Sequence, residues 1–429
     1  MLKIYSYKEL TENDIKKLAA RNTDPENDIR GSVEQIISEV RAKGDKALKD
    51  FAQKFDKVSL EKLFLEKDEL TALAQTIGKE QQEALKTAYA NIHKFHLSQL
   101  KQEDKVETMP GVNCWREIRP IEKVGLYIPG GTAVLPSTFL MLGVPAQIAG
   151  CKEIIVCSPP QADGKINGYI AFCAQLLGIE RIYLAGGAQA VAAMAYGAES
   201  IPKVDKIFGP GNQYVTKAKT IIQSTTQTAI DMPAGPSEVL VIADESANPA
   251  FIAADLLAQA EHGADSQAVL VTVSKDIADK TIIELEKQLE ALPRKEIAAK
   301  AIANSYAVIT ENLDEALAFS NIYAPEHLIL QTDNWEKLTD KISNAGSVFL
   351  GHLTPESAGD YASGTNHTLP TSAYARSYSG VSVDSFVKKI TFQSLSAEGI
   401  QNLGPTVEIL AELEGLQAHK NAVSIRLKS

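Results

Sequence analysis

From Lys123 onward the chain alternates short runs that are apolar at every position with stretches of helical length. The runs are KVGLYIP, EIIVCSP, RIYLAGG and DKIFGPG, followed after residue 237 by EVLVIAD, AVLVTVS, YAVIT, HLILQT and SVFLG. A strand with one wet face alternates apolar and polar residues, so a run without polar positions must be covered on both faces. Intervening segments such as INGYIAFCAQLLG and NPAFIAADLLAQAEHG supply helices for that cover, and the repetition calls for parallel sheets. The expected fold is α/β: two open, incomplete Rossmann-like α/β units, over residues 111–236 (strands from Lys123) and 237–381. A mainly helical arm, 1–110, precedes them, and a return segment with a C-terminal helical tail, 382–429, follows. In the arm Val33, Ile36, Ile37 and Val40 form one helical stripe, and a second long helical pattern covers 67–102. The tail reads as helix from Thr406. No short repeat occurs, and nothing in the letters decides whether the two units are a distant duplication.

The stretch between Lys123 and Lys152 carries no charge and invites a membrane reading. Pro129, Pro136 and Pro145 and five glycines interrupt it, so a strand, a turn and a packed helix describe it better. Composition narrows the partners. With 43 basic against 54 acidic residues the net charge is −11, the opposite of what phosphate-binding surfaces need, so nucleic acid is not expected. A small molecule or another protein is. Cys114, Cys151, Cys157 and Cys173 show no CxxC spacing and read as free thiols in a reducing compartment. The opening MLKIYSYKELTENDIKK lacks the apolar core of a signal peptide, and a cytoplasmic protein is expected.

Three turns follow predicted strands and open predicted helices: YIPGG (127–131), LAGGAQA (184–190) and FGPGNQYVTKAK (208–219). Such turns suit a dinucleotide pyrophosphate, although none completes GxGxxG and each also reads as plain strand-to-helix punctuation. The histidines are more telling, since five of seven follow residue 260. In DLLAQAEHGAD, Pro249 upstream suits a helix start and Gly263 its stop. Asp255, Gln259 and His262 then share a face, where an imidazole and a carbonyl oxygen can reach one cation. A histidine complementing a helix C-terminus is the other reading. In APEHLIL, Glu326 and His327 stand at a strand entrance, pointing to opposite faces, as an acid/base pair or as a surface pair. The segment 344–371 reads as a strand running into a long loop with His352, Glu356, Asp360 and His367. His419, preceded by Glu414, lies in the tail. Histidines with carboxylate or amide oxygens suit Zn²⁺, with Mn²⁺ or Co²⁺ also compatible. His93 and His96 share a helix face with no third ligand near and read as a satisfied or solvated pair.

Long ungapped blocks of the chain resemble histidinol dehydrogenases. They include GLYIPGGTAVLPSTFLMLGVPAQIAGC, AGGAQAVAAMAYGAESIPKVDKIFGPGNQYV, DMPAGPSEVLVIAD, AQAEHGADSQ, APEHLIL, SAGDYASGTNHTLPTSAYARSYSGVSVDSF and ELEGLQAHKNAVSIR. The resemblance runs from about residue 33 onward, with the first 30 residues matching poorly. It implies oxidation of L-histidinol to L-histidine through L-histidinaldehyde, with two successive hydride transfers to NAD⁺, one zinc per site and a homodimer whose tails cross between subunits. It places Gln259, His262, Asp360 and His419 as zinc ligands and Glu326 and His327 as the acid/base pair. Tyr127, Gln189 and Asn212 correspond to NAD⁺-contacting positions. Ser237, Glu414 and His367 correspond to substrate-contacting ones, joined by His327 and the four ligands. His327 then takes the alcohol proton, Glu326 activates the water that hydrates the aldehyde, and the metal mainly positions substrate. The absence of cysteine from the blocks that carry the acid/base and metal positions counts against a covalent thiohemiacetal route. A zinc-dependent hydrolase or a non-catalytic NAD- or zinc-binding relative is the alternative reading.

Overall fold

The computed structural model describes residues 2–21, 29–130, 134–233 and 235–428; of the turn YIPGG, Gly131 lies outside them. The chain opens with β1 (Lys3–Ser6) and β2 (Phe64–Glu66), then pairs β3 (Val106–Met109) with β4 (Val112–Pro120). The apolar runs follow as β5 (Lys123–Tyr127), β6 (Glu153–Ser158), β7 (Arg181–Leu184) and β8 (Lys206–Phe208), with a short β9 (Ala229–Ile230). The second set gives β10 (Glu238–Ala243), β11 (Gln267–Thr272), β12 (Tyr306–Ile309), β13 (His327–Gln331) and β14 (Ser347–Leu350). The last strand is β15 (Val387–Leu395). Every apolar run named from the sequence is therefore a strand.

Both large sheets are wound alike. The first runs β7-β6-β5-β8-β9 and the second β12-β11-β10-β13-β14, parallel within each series. In each, the chain moves outward from its first strand and then returns to that strand's other side. This switch point leaves a crevice at the carboxyl ends of β5 and β8, the usual place for a ligand in open α/β sheets. Burial on both faces is visible in the second sheet. Val239, Val241, Leu270 and Ile329 pack into one apolar layer, while Leu240, Ile242, Val269 and Leu328 pack into the layer behind.

The arm is less purely helical than its pattern predicts. Its helix Arg30–Lys43 buries Val33, Ile36, Ile37 and Val40 as expected, but β2 adds to the first sheet beside β7 and β1 to the second beside β12. Each covers an edge whose backbone groups would otherwise stay unpaired. The 67–102 pattern divides at Gly78 into the helices Lys67–Ala74 and Lys79–Leu97. The uncharged stretch is β5 and the helix Pro136–Ala149, buried continuously from Ser137 to Ala146. Among the described residues no helix is long and apolar enough to cross a membrane.

A third, antiparallel sheet, β15-β4-β3, follows neither pattern. The tail packs on it and starts earlier than Thr406. Ser396 caps the helix Ala397–Leu413 by accepting from Gly399 N, and Pro405 is carried inside. Gly415, at φ 70°, breaks it before the helix Gln417–Ser424.

Candidate active site

Parallel strands bring their first residues to one edge, and Glu326 and His327, expected as an acid/base pair, meet at the amino edge of the second sheet. Glu238 opens β10 and His327 opens β13 next to it. The peptide of Glu238 serves both: its N–H donates to Glu326 Oε2 at 2.9 Å, and its carbonyl lies 3.1 Å from His327 Nδ1. A carbonyl only accepts, so His327 keeps its hydrogen on Nδ1, and Nε2 is the nitrogen that gains or loses a proton. Nε2 lies 3.3 Å from Asp360 Oδ1, and neither atom has an aligned hydrogen-bond partner among the described residues although both are buried. Strand alternation predicts opposite faces for Glu326 and His327. Instead Glu326 Oε2 lies 3.7 Å from His327 Nδ1. Glu326 precedes the ladder, which starts at His327, so the pleat does not set its direction.

The segment predicted as a long loop contains the helix Glu356–Tyr361. Its Glu356 and Asp360, four apart, face the same way, toward His327. Gly359 allows this: a Cβ there would meet Phe349 Cε1 at 2.6 Å. The helix Pro249–Ala260 ends before His262, which sits in the following turn rather than on the helix face. Asp255 turns away, accepting from Gln331 Nε2 at 2.9 Å. Gln259 is fully buried; with its amide assigned from its surroundings, its nitrogen donates to Glu356 Oε1 at 2.5 Å and its oxygen accepts from Glu238 N at 3.1 Å. His262, Glu356 and Asp360 hold ligand atoms within 4.8 Å of one another. One imidazole and two carboxylates, with Asp360 Oδ1 unpartnered among the described residues, fit a divalent cation such as zinc.

Crowding of acids shapes the charge. Burial pushes Glu326 up to about 8 and Glu356 well above the carboxylate range. Burial raises Asp360 too, but the histidines beside it, His327 first, hold it below its ordinary value. Burial would lower His327; the carboxylates of Glu356, Glu326 and Asp360 outweigh it and raise it. His262 and His367 are lowered, chiefly by the protein matter around them, toward the neutral form that binds metal.

His367 joins this edge to the first unit. Its Nδ1 donates to Asp360 O at 2.7 Å, and its Nε2 lies 3.0 Å from Thr138 Oγ1 at the start of helix Pro136–Ala149. The nucleotide-contacting expectations gather at the carboxyl edge of the first sheet. The Tyr127 hydroxyl accepts from Gly187 N at 3.1 Å, Gln189 is buried in the helix that follows, and Asn212 caps the helix Gln213–Thr225 by accepting from Tyr214 N and Val215 N. Gly209 has φ 132°, and a Cβ there would meet Tyr127 O at 2.2 Å, so only glycine lets the two strand ends close up. The buried Lys219–Asp231 pair clamps that turn from both sides, Lys219 on Gly209 O and Asp231 on Gly209 N.

The remaining expectations lie elsewhere. Ser237 directly precedes Glu238, and its carbonyl accepts from Gln267 N. Glu414 and His419 are exposed on the tail, away from this cluster. His352 pairs with Asp333 at the opposite, carboxyl edge. His96 is buried with Nδ1 on Ile92 O, and His93 lies against the Tyr89 ring, a satisfied pair. None of the thiols belongs to the cluster: Cys114 is in β4, Cys157 in β6, Cys173 in the helix Gly168–Leu176, and Cys151 just precedes β6. Two members escaped the sequence reading. Glu238 is a carboxylate opening an apolar strand, a signal that was available. Arg21, its ion-pair partner, stands 217 positions away with no local sign of its role.

Residues 19–427 match the protein family described as histidinol dehydrogenase. The chain is 54% identical to histidinol dehydrogenase of Bacteroides thetaiotaomicron over 430 residues, covering all of both. It is 55% identical to the chloroplastic histidinol dehydrogenase of Arabidopsis thaliana, covering the whole chain and 92% of that protein. Among solved structures, histidinol dehydrogenase from Elizabethkingia anophelis matches with a TM-score of 0.96 at 54% identity, covering all of this chain and 98% of that one. The likeness therefore extends into the arm, beyond the residue-33 limit expected from the motifs.

Proposed function

The chain belongs to the histidinol dehydrogenase family, NAD-dependent oxidoreductases of histidine biosynthesis, and from that membership we propose that it oxidises L-histidinol to L-histidine through L-histidinaldehyde with two hydride transfers to NAD⁺ at a zinc-dependent site. The observation that carries the reading is buried His327, whose Nδ1 faces the Glu238 carbonyl and Glu326 while its Nε2 lies 3.3 Å from Asp360 Oδ1.

The reaction takes one water and two NAD⁺ and releases two NADH and three protons for each alcohol converted to carboxylate. In the first half His327 Nε2 accepts the hydroxyl proton as the carbon-bound hydride leaves for the nicotinamide. In the second half Glu326 takes a proton from the water that adds to the aldehyde. Burial raises Glu326 toward the working pH, where it can both accept and return a proton. Glu238 keeps both groups in place through its peptide. Gln259, His262 and Asp360 hold zinc together with the partner subunit's His419, while Glu356 orients the Gln259 amide. Zinc, when bound, supplies a fixed positive charge that anchors the amine and imidazole nitrogens of the substrate. Tyr127, Gln189 and Asn212 line the switch-point crevice for NAD⁺, and Ser237, His367 and the partner subunit's Glu414 contact substrate. The exposed Ile409, Leu410, Leu413, Leu416 and Ile425 of the tail supply an apolar surface for the homodimer.

The test follows NADH absorbance with histidinol and NAD⁺. NADH should appear in a two-to-one ratio to histidine, and a zinc chelator should stop it without loss of the helical circular-dichroism signal. Turnover of histidinol without NADH would overturn the reading.

A further inference from the structure

Arg21 lies on the arm, far in sequence from every residue named in the mechanism. The strand β1 and the helix Glu12–Ala19 lead the arm up the edge of the second sheet and back, so that Arg21 arrives beneath its amino edge. Only 8% of its side chain is exposed, and 1% of Glu238's. Arg21 Nε donates to Glu238 Oε1 at 2.7 Å and Nη2 to Oε2 at 2.6 Å, a two-pronged pair. Nη1 reaches the carbonyls of Ala19 and Tyr323, and Nη2 that of Ala324 as well. Each guanidinium N–H therefore has an acceptor, and the group lies 3.6 Å from the centroid of the Tyr323 ring. Glu238 Oε1 takes one further bond, from Ser372 N at 2.7 Å, in the segment that follows His367.

A buried ion pair is poor evidence for stability, because an apolar pair of similar volume often holds a fold as well. This pair does something an apolar pair cannot. It grips the one residue whose peptide N–H binds Glu326 and whose carbonyl binds His327. We infer that Arg21 is a positioning residue for the oxidation: its fork fixes Glu238, and the Glu238 main chain in turn fixes the Glu326 carboxyl group and the Nδ1–H form of His327. The inference rests on the proposed oxidation. Arg21 itself touches neither member of the acid/base pair. Lysine would keep the charge but not the fork.

Two variants separate positioning from folding. Arg21→Lys retains the charge, and Arg21→Met with Glu238→Gln removes both charges, so neither buries a lone ion. Both are measured as intact protein for melting temperature, zinc content, kcat, and KM for histidinol and NAD⁺. With a loss of alignment near 1 Å, kcat should fall roughly 10- to 100-fold in both. KM should stay within about threefold and the zinc content should not change. Histidine-selective nitrogen NMR, recorded at a pH where the His327 ring is neutral, should show that it no longer carries its proton uniquely on Nδ1. Unchanged kcat and an unchanged His327 tautomer in a folded Arg21→Lys protein would overturn the inference. So would a fall in kcat matched by equal losses of zinc and folded protein, which is the signature of a structural role alone. An unmutated protein that makes no NADH would instead overturn the proposed oxidation, and the tautomer measurement still judges Arg21 in that case.

Discussion

His327 and Glu326 share one main-chain anchor, the peptide of Glu238. Replacing His327 with Asn keeps an N–H for the Glu238 carbonyl but removes the proposed base. His327→Asn should lower the first oxidation by roughly 10²–10⁴-fold while zinc stays bound; loss of zinc by atomic absorption would make His327 a ligand instead. Glu326→Gln should slow oxidation of histidinaldehyde more than that of histidinol, which separate assays of the two substrates would read. Asp255 offers a stability test nearby. Burial raises its carboxyl to about 6, and it gives its oxygen to Gln331 while Gln331 Oε1 stays unpartnered. A carboxyl raised in the folded state contributes fully below its unfolded value, and that contribution is lost as pH rises through about 6. Asp255→Asn cannot ionise and adds a donor for Gln331, so it should stabilise by roughly 2 kcal/mol at pH 7–8 and by almost nothing near pH 4. Urea unfolding across that range checks the sign, and a variant less stable at every pH would refute it.

At the scale of elements, the short helix Glu356–Tyr361 matters most, because one turn of it carries both carboxylates facing His327. Its seat depends on Gly359. Alanine normally favours a helix over glycine by about 1 kcal/mol, but here its Cβ would sit 2.6 Å from Phe349 Cε1 and 3.1 Å from Thr365 Oγ1. Overpacking wins, since ring and backbone must both shift, at a cost of about 1–3 kcal/mol. Gly359→Ala should therefore lower the melting temperature and weaken zinc binding together, measured by calorimetry and metal titration. Tighter zinc binding would show that the helix has room to spare. The nine-residue pairing of β15 with β4 gives the tail a rigid base of its own.

At the scale of the whole molecule, two sheets with the same winding use opposite edges. In the proposed oxidation the first offers its carboxyl edge to the nucleotide and the second its amino edge to metal and proton transfer, and the His367–Thr138 contact joins the two units. The tail is the remaining piece. Ile409, Leu410, Leu413, Leu416 and Ile425 are exposed, and Glu414 and His419 lie apart from the cluster of their own chain. If each site takes His419 from the partner subunit, inactive His327→Asn and His419→Asn chains should complement when refolded together. Half the dimers are then mixed, each with one intact site, so about a quarter of full activity returns. Mixed dimers seen by mass spectrometry without activity would place each site within one chain.

Strand positions, unit order and the stripe in helix Arg30–Lys43 were legible because local apolar periodicity reports burial directly, and burial decides which face turns inward. The motif blocks also pointed to most of the site, since Gln259, His262, Glu326, His327 and Asp360 stand in compact, uncommon segments. Tertiary structure alone decided three things. It turned Glu326 and His327 toward each other, because the ladder starts one residue too late for the pleat to separate them. It made a helix of Glu356–Tyr361, six residues whose stability comes from packing on Phe349 rather than from helical propensity. It also brought Arg21 to Glu238. Such a pair leaves no trace in local sequence, because what holds two buried charges together is distance in space, and that is settled only when the arm has threaded along the edge of the second sheet.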